Sequence, residues 1–139
     1  MRTIGIDPDD IIAALQLNAT LDGEKYFFNI QWNGTCYATA ELVVYDPNEP
    51  FDPTDEALIA PTAFVRDSAI WGVPPTRDKI STELAEMNPS SRDVDEIHAR
   101  SVAAWRREVR KRVVTDVMLD RIDREVARVE ITDNDEQQP

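Results

Sequence analysis

Residues 24–45 read EKYFFNIQW, then Asn33-Gly34, then TCYATAELVVY. Asn-Gly between two aromatic and β-branched runs specifies a two-residue turn with φ > 0 at both central positions, which predicts a β-hairpin over about 25–45. With that loop Trp32 lies opposite Thr35, Ile30 opposite Tyr37 and Phe28 opposite Thr39. One face then carries Tyr26, Phe28, Ile30, Trp32, Tyr37, Val43 and Tyr45. The other carries Phe27, Asn29, Gln31, Cys36, Ala38, Ala40, Leu42 and Val44. Both faces are partly apolar, which predicts cover on each side. An isolated hairpin is marginal in water, so a third strand is needed, from Thr3–Ile6 or from another subunit.

Helices surround the hairpin. Asp7 can cap a helix whose first position is Pro8, with Asp9 and Asp10 near the positive end of its dipole. Leu58, Ile59, Phe64, Val65, Ile70 and Trp71 are core candidates, and Pro74-Pro75 is a break. Thr76 then caps a helix with Ile80, Leu84 and Met87 on one face, ended by Asn88-Pro89. From Asp93, with Glu96 at capping-box spacing, the apolar pattern runs to about Ile131. Glu96–Arg100, Glu108–Arg112 and Asp120–Arg124 are acid-first i,i+4 pairs along it. The expectation is an α+β fold. A hairpin or small antiparallel sheet (about 25–45) packs with short helices and a long C-terminal helix (about 93–131). The 139 residues suffice for a single domain over 1–131, with a Pro-rich acidic spacer at 46–56 and a polar tail at 132–139.

Residues 105–112, WRREVRKR, hold five positive charges in a chain of net charge −12. On a helix Val102, Trp105, Val109 and Val113 form one apolar stripe. Arg100, Arg106, Arg107, Arg110 and Lys111 lie opposite it, and Arg112 lies near its edge, which makes these six the candidate partner-binding face. Farther on, Met118, Ile122, Val126 and Val129 point more than a third of a turn away. That change near Thr115-Asp116 implies either a kink or a subunit contact through those four residues.

Composition narrows the setting. Acidic residues number 27 against 15 Lys and Arg, and only Lys25, Lys79 and Lys111 are lysine. Such a balance resembles the proteins of salt-in halophiles, haloarchaea and their viruses, in which carboxylates keep the surface hydrated. In molar salt the Debye length is about 3 Å and phosphate binding weakens steeply. Nucleic acid is therefore the disfavoured partner for the basic face, and carboxylates on the same or a neighbouring chain are the favoured one, met by short bidentate contacts.

No nucleophile–base pair, phosphate loop or metal-ligand cluster is legible. Cys36 is the single cysteine, with a buried apolar role expected, and His98 is the single histidine, beside the helix stripe. A non-enzymatic protein without cofactor or metal follows. The N-terminus has no signal-peptide pattern and no apolar run spans a membrane, so the expected location is a virion or the cytoplasm. The leading expectation is an assembly protein acting through other protein subunits, a homo-oligomer within a larger complex. Its most specific form is a virion component, at the head–tail connector or tail, of a haloarchaeal tailed virus. The alternatives are a nucleic-acid-associated regulator using the basic face at 100–112 and a small adaptor or antitoxin-like protein with one protein partner.

Overall fold

The Asn33-Gly34 turn forms as its sequence dictates, with φ of 53° and 81° and a Thr35 N–H to Trp32 carbonyl bond of 3.0 Å. The strands around it, however, pair in another register. The computed structural model describes residues 2–21, 25–46, 48, 55–119 and 125–132. In it β2 (Tyr26–Gln31) and β3 (Tyr37–Val44) are antiparallel, with Phe28 opposite Leu42 and Ile30 opposite Ala40. That is a slip of three residues from the pairing the turn alone would set. An odd slip turns one strand over relative to the other. Phe28, Ile30, Trp32, Ala38, Ala40 and Leu42 therefore share a face, and the two-sided apolar hairpin expected from the sequence is not formed.

The cause is visible around the turn. The Thr35 hydroxyl donates to the carbonyls of Trp32 and Tyr37, at 2.5 and 2.9 Å. The Trp32 amide donates to the Asp55 carbonyl and the Cys36 carbonyl accepts from Thr3. Residues 32–36 are thus drawn toward the two outer neighbours of the hairpin and leave the pairing between β2 and β3. Cys36 is exposed there, against the buried role expected for it.

The anticipated third strand is β1 (Thr3–Ile6), which joins β3 in parallel. Asp7 caps α1 (Pro8–Ala19) by accepting from the Asp9 amide, with Pro8 at the helix start. Asn18, near the helix end, holds β2 through bonds to the Lys25 and Tyr26 amides. β4 (Glu56–Ile59) pairs antiparallel with β2. A 3-10 turn, Pro61–Phe64, leads to α2 (Ser68–Trp71), α3 (Arg77–Glu83) and α4 (Ser91–Lys111).

The long helix ends at Lys111 and not near Ile131. Val113-Val114-Thr115 is a β-branched run, stiff at χ1 and suited to extended backbone. Val113 bridges to Val65, and the Val114 amide donates to the Phe64 carbonyl at 3.0 Å. The chain continues as β5 (Asp116–Met118) and β6 (Val126–Ile131), which pair with each other. The helix start also moves. Ser90 and Asp93 form the capping box, one turn ahead of the Asp93–Glu96 spacing.

Among the described residues the strands form one mixed, α+β sheet in the order β4-β2-β3-β1-β6-β5, with β3, β1 and β6 parallel. Its packed face presents Ile4, Ile6, Phe28, Ile30, Ala127 and Val129 to one core shared with Ile11 and Leu15 of α1 and Trp105 and Val109 of α4. Phe28 meets Phe64 edge-on, ring centres 5.5 Å apart. Each such fully buried side chain contributes about 1.5–3 kcal/mol relative to exposure. The opposite face is mixed, with Gln31, Thr39, Glu41, Arg128 and Glu130 exposed beside the apolar side chains of Tyr37, Val126 and Met118. Among the described residues helices pack on one side of the hairpin only, so the expected cover on its second side is not seen there.

Candidate interaction surface

α4 is 21 residues long, about 31 Å, and only its second half joins the main core. Trp105 and Val109 are buried in that core, whereas Val94 and Ile80 are buried outside it. α3 and the first half of α4 form a helical arm that carries its own apolar contact. Local chemistry shapes the arm. Thr76 caps α3 by accepting from the Lys79 amide. Asn88, in left-handed backbone at φ 48°, reverses the chain after a 3-10 turn at Ala85–Met87. Arg77 bonds Asp95 at 2.6 Å and so ties α3 to α4. That bond, and then the Asp95 charge, raise the Arg77 guanidinium above its ordinary pKa. His98 is half-buried and meets the Pro75 carbonyl through Nε2 at 3.2 Å, a strut across the base of the arm.

Between α2, the Val73-Pro74-Pro75 segment, α3 and α4 lies a groove of about 770 Å³. Buried Trp105 and Ile80 line it, and Trp105 Nε1 donates to the Trp71 carbonyl at 2.8 Å. Ile70 and Val73 also line it and remain 68% and 63% exposed. The core role expected of Ile70 is therefore not met: α2 spans only residues 68–71, and its short turn leaves Ile70 outside. On another side of the arm, Leu84, Met87 and Ile97 line a smaller groove, with Met87 76% exposed. The predicted face of Ile80, Leu84 and Met87 is split, since α3 ends at Glu83 and only Ile80 is buried.

The apolar stripe of the basic segment is as expected, with Trp105, Val109 and Val113 buried and Val102 half-buried. Its cations divide into two groups. Arg110 pairs with Asp9 of α1, and Arg112 pairs with Asp67 at 3.1 Å and Glu108 at 3.3 Å. Lys111 lies 3.7 Å from Glu108, while its carbonyl accepts from Arg66. This part of the basic face therefore meets carboxylates of its own chain. Arg100, Arg106 and Arg107 are exposed and have no carboxylate partner among the described residues. Of the acid-first pairs, Glu108–Arg112 forms. Glu96 pairs with Arg92 in place of Arg100, and Asp120 and Arg124 lie outside the described residues.

The second set of candidates loses its common helix face, because it sits on strands. Met118 and Val126 are opposite one another on β5 and β6 and are exposed, while Val129 faces the core. Ile122 lies outside the described residues, as does most of the Pro-rich spacer. The groove residues Ile70 and Val73 escaped sequence reasoning. Their signal was an apolar run, Ile70 to Pro75, too short and too proline-rich to bury itself.

The sheet supplies one more concavity. Where β2 and β3 slip past the turn, Gln31, Asn33, Thr35, Tyr37 and Thr39 line an open polar cleft of about 620 Å³. No helix among the described residues is long and apolar enough to cross a membrane. No curated protein and no solved structure matches the chain. The model of one family, the domain of unknown function DUF8009, matches residues 1–134, and the chain belongs to that family.

Proposed function

We propose that the chain is a non-enzymatic assembly subunit that works by protein–protein contacts in a larger complex. The observation that carries this reading is the pair Ile70 and Val73, exposed beside a groove lined by Trp105 and Ile80. Contiguous exposed apolar surface of this kind marks an interaction site more often than a free surface. Covering the two side chains, about two-thirds exposed, with another subunit gains roughly 1–2 kcal/mol for each. The contact is apolar, so screening by salt does not weaken it.

The composition supports a salt-rich setting for the same reasons of surface hydration given above. The virion form of the reading, a head–tail connector or tail subunit of a haloarchaeal tailed virus, draws on that composition and on the exposed arginines suited to acidic neighbours. Of its other grounds, the two-sided apolar hairpin and the single helix with a switching apolar side are not formed. For the nucleic-acid alternative, the pairing of Arg110, Lys111 and Arg112 with carboxylates of their own chain halves the six-cation face available to phosphates.

Light scattering in dilute and in molar KCl tests the proposal. The expected result is a mass above the single chain in molar salt, reduced by the Ile70→Ser/Val73→Ser double variant. A stable monomer in both media rejects the assembly reading. An unchanged mass for the double variant rejects the groove as its contact.

A further inference from the structure

One face of α4 is turned away from both the core and the large groove. It carries Asp95 and Glu96 in the first half, Ala99 and Ala103 at the middle, and Arg106 and Arg107 in the second half, all exposed. At 100° per residue these six fall within an arc of about 120°, which also holds Arg92 and Arg110, each already paired with a carboxylate of its own chain, Glu96 and Asp9. The helix dipole favours acids in the first turn and bases in the last. Asp95, Glu96, Arg106 and Arg107 lie between those turns, so the dipole does not account for their segregation.

The arrangement is self-complementary about the level of residue 101. A second α4 laid antiparallel across a two-fold axis sets 95 against 107, 96 against 106 and 99 against 103; it also sets Arg92 against Arg110, two cations that Glu96 and Asp9 of their own chains already pair. A parallel pairing would set acid on acid. We propose that two copies of this chain associate through α4 in antiparallel fashion, Asp95 and Glu96 of one copy meeting Arg107 and Arg106 of the other. An isologous contact of this kind repeats each pair twice, the usual form of a two-fold dimer. Ala99 and Ala103 let the helix backbones approach closely at the axis. Arg106 and Arg107 have no carboxylate partner among the described residues. Asp95 engages Arg77 through Oδ1 and Glu96 engages Arg92 through Oε1, which leaves the second oxygen of each for the other copy.

Salt has an unusual sign here. Two chains of net charge −12 repel at long range in dilute salt. In molar salt the Debye length falls to about 3 Å, so that repulsion is screened while charge-assisted bonds at contact distance persist. Association therefore rises with salt. The surface shares none of its six residues with the groove, so Ile70→Ser/Val73→Ser leaves the pairing intact and the two readings fail separately.

Sedimentation velocity in molar KCl decides the matter, with circular dichroism confirming the fold of each variant. The wild type is expected at or above twice 15.8 kDa. Arg106→Glu/Arg107→Glu alone and Asp95→Arg/Glu96→Arg alone are each expected to weaken association at least tenfold. An equimolar mixture of the two restores it, because each acid then again faces an arginine. Glu96→Arg by itself keeps the Arg77–Asp95 tie and must weaken association in the same direction. A monomeric wild type, variants that associate like it, or a mixture that stays monomeric overturns the proposal. So does a monomer that retains duplex DNA in molar KCl and loses it on Arg106→Glu/Arg107→Glu, which would assign these arginines to phosphates.

Discussion

The Arg112 guanidinium lies 4.7 Å from the centre of the Trp71 ring, and the same group bonds Asp67 and Glu108. One side chain thus closes the end of α4, covers the back of the groove tryptophan and ties the loop before α2 to the helix. The flat fork makes all three contacts at once, which a lysine ammonium cannot do. Arg112→Ala is expected to lower stability by about 1–2 kcal/mol, the sum of one stacked cation and two partly exposed pairs. Arg112→Lys should retain most of that loss. Urea denaturation of the two variants measures both.

Trp105 is buried, and its Nε1 is the donor to the Trp71 carbonyl. Trp105→Phe keeps most of the packing but leaves that carbonyl without its donor, at a cost of about 1 kcal/mol. Trp105→Ala opens a cavity between α4 and the groove and costs about 3–5 kcal/mol. Thermal unfolding separates the two contributions.

Gly34 holds φ 81° with no atom within 4 Å of the position a Cβ would take. The penalty for any side chain there is set by backbone conformation and not by space. Gly34→Ala and Gly34→Ser are expected to cost the same, about 1 kcal/mol, and Gly34→Asn less. A Ser variant much worse than Ala would show that the turn is crowded in solution.

Burial first, and then the neighbouring carboxylates of Asp7 and Asp9, raise the Asp10 carboxyl above its ordinary pKa of 3.8. A group whose folded pKa lies above its unfolded one favours folding while protonated. That contribution is lost as pH rises through the folded value. Asp10→Asn should therefore have the higher Tm at neutral pH, with the gain vanishing below the ordinary carboxyl range. Added salt should shrink the part due to Asp7 and Asp9 and leave the part due to burial. Melting curves across pH at two salt concentrations test both parts.

The ends of elements that rest on local chemistry were legible in the sequence. Asp7 with Pro8, Thr76 before α3 and Asn33-Gly34 each act through their own backbone neighbours, and each appears where its residues demand. Pairing that depends on distant partners was not. The register of β2 on β3 is decided by Thr3 and Asp55, which draw residues 32–36 outward, and no pattern within 25–45 records them. The stretch after Lys111 misled for a related reason. Its apolar spacing suits a helix face, but Val113-Val114-Thr115 prefers extended backbone, and the remaining apolar positions meet a sheet edge formed by the N-terminal strand. The basic segment was legible as an amphipathic face. Which of its cations were already neutralised required the positions of Asp9 and Asp67, remote in sequence.

β1 lies between β3 and β6, bonded to residues 37–39 on one side and 128–131 on the other. During synthesis β1 must therefore wait for β6. Until residue 131 has left the ribosome, one edge of β1, with Ile4 and Ile6 beside it, has no strand to close it. A nascent chain of this protein carries an open, apolar sheet edge from the synthesis of β1 until that of β6, the kind of edge that invites wrong pairing.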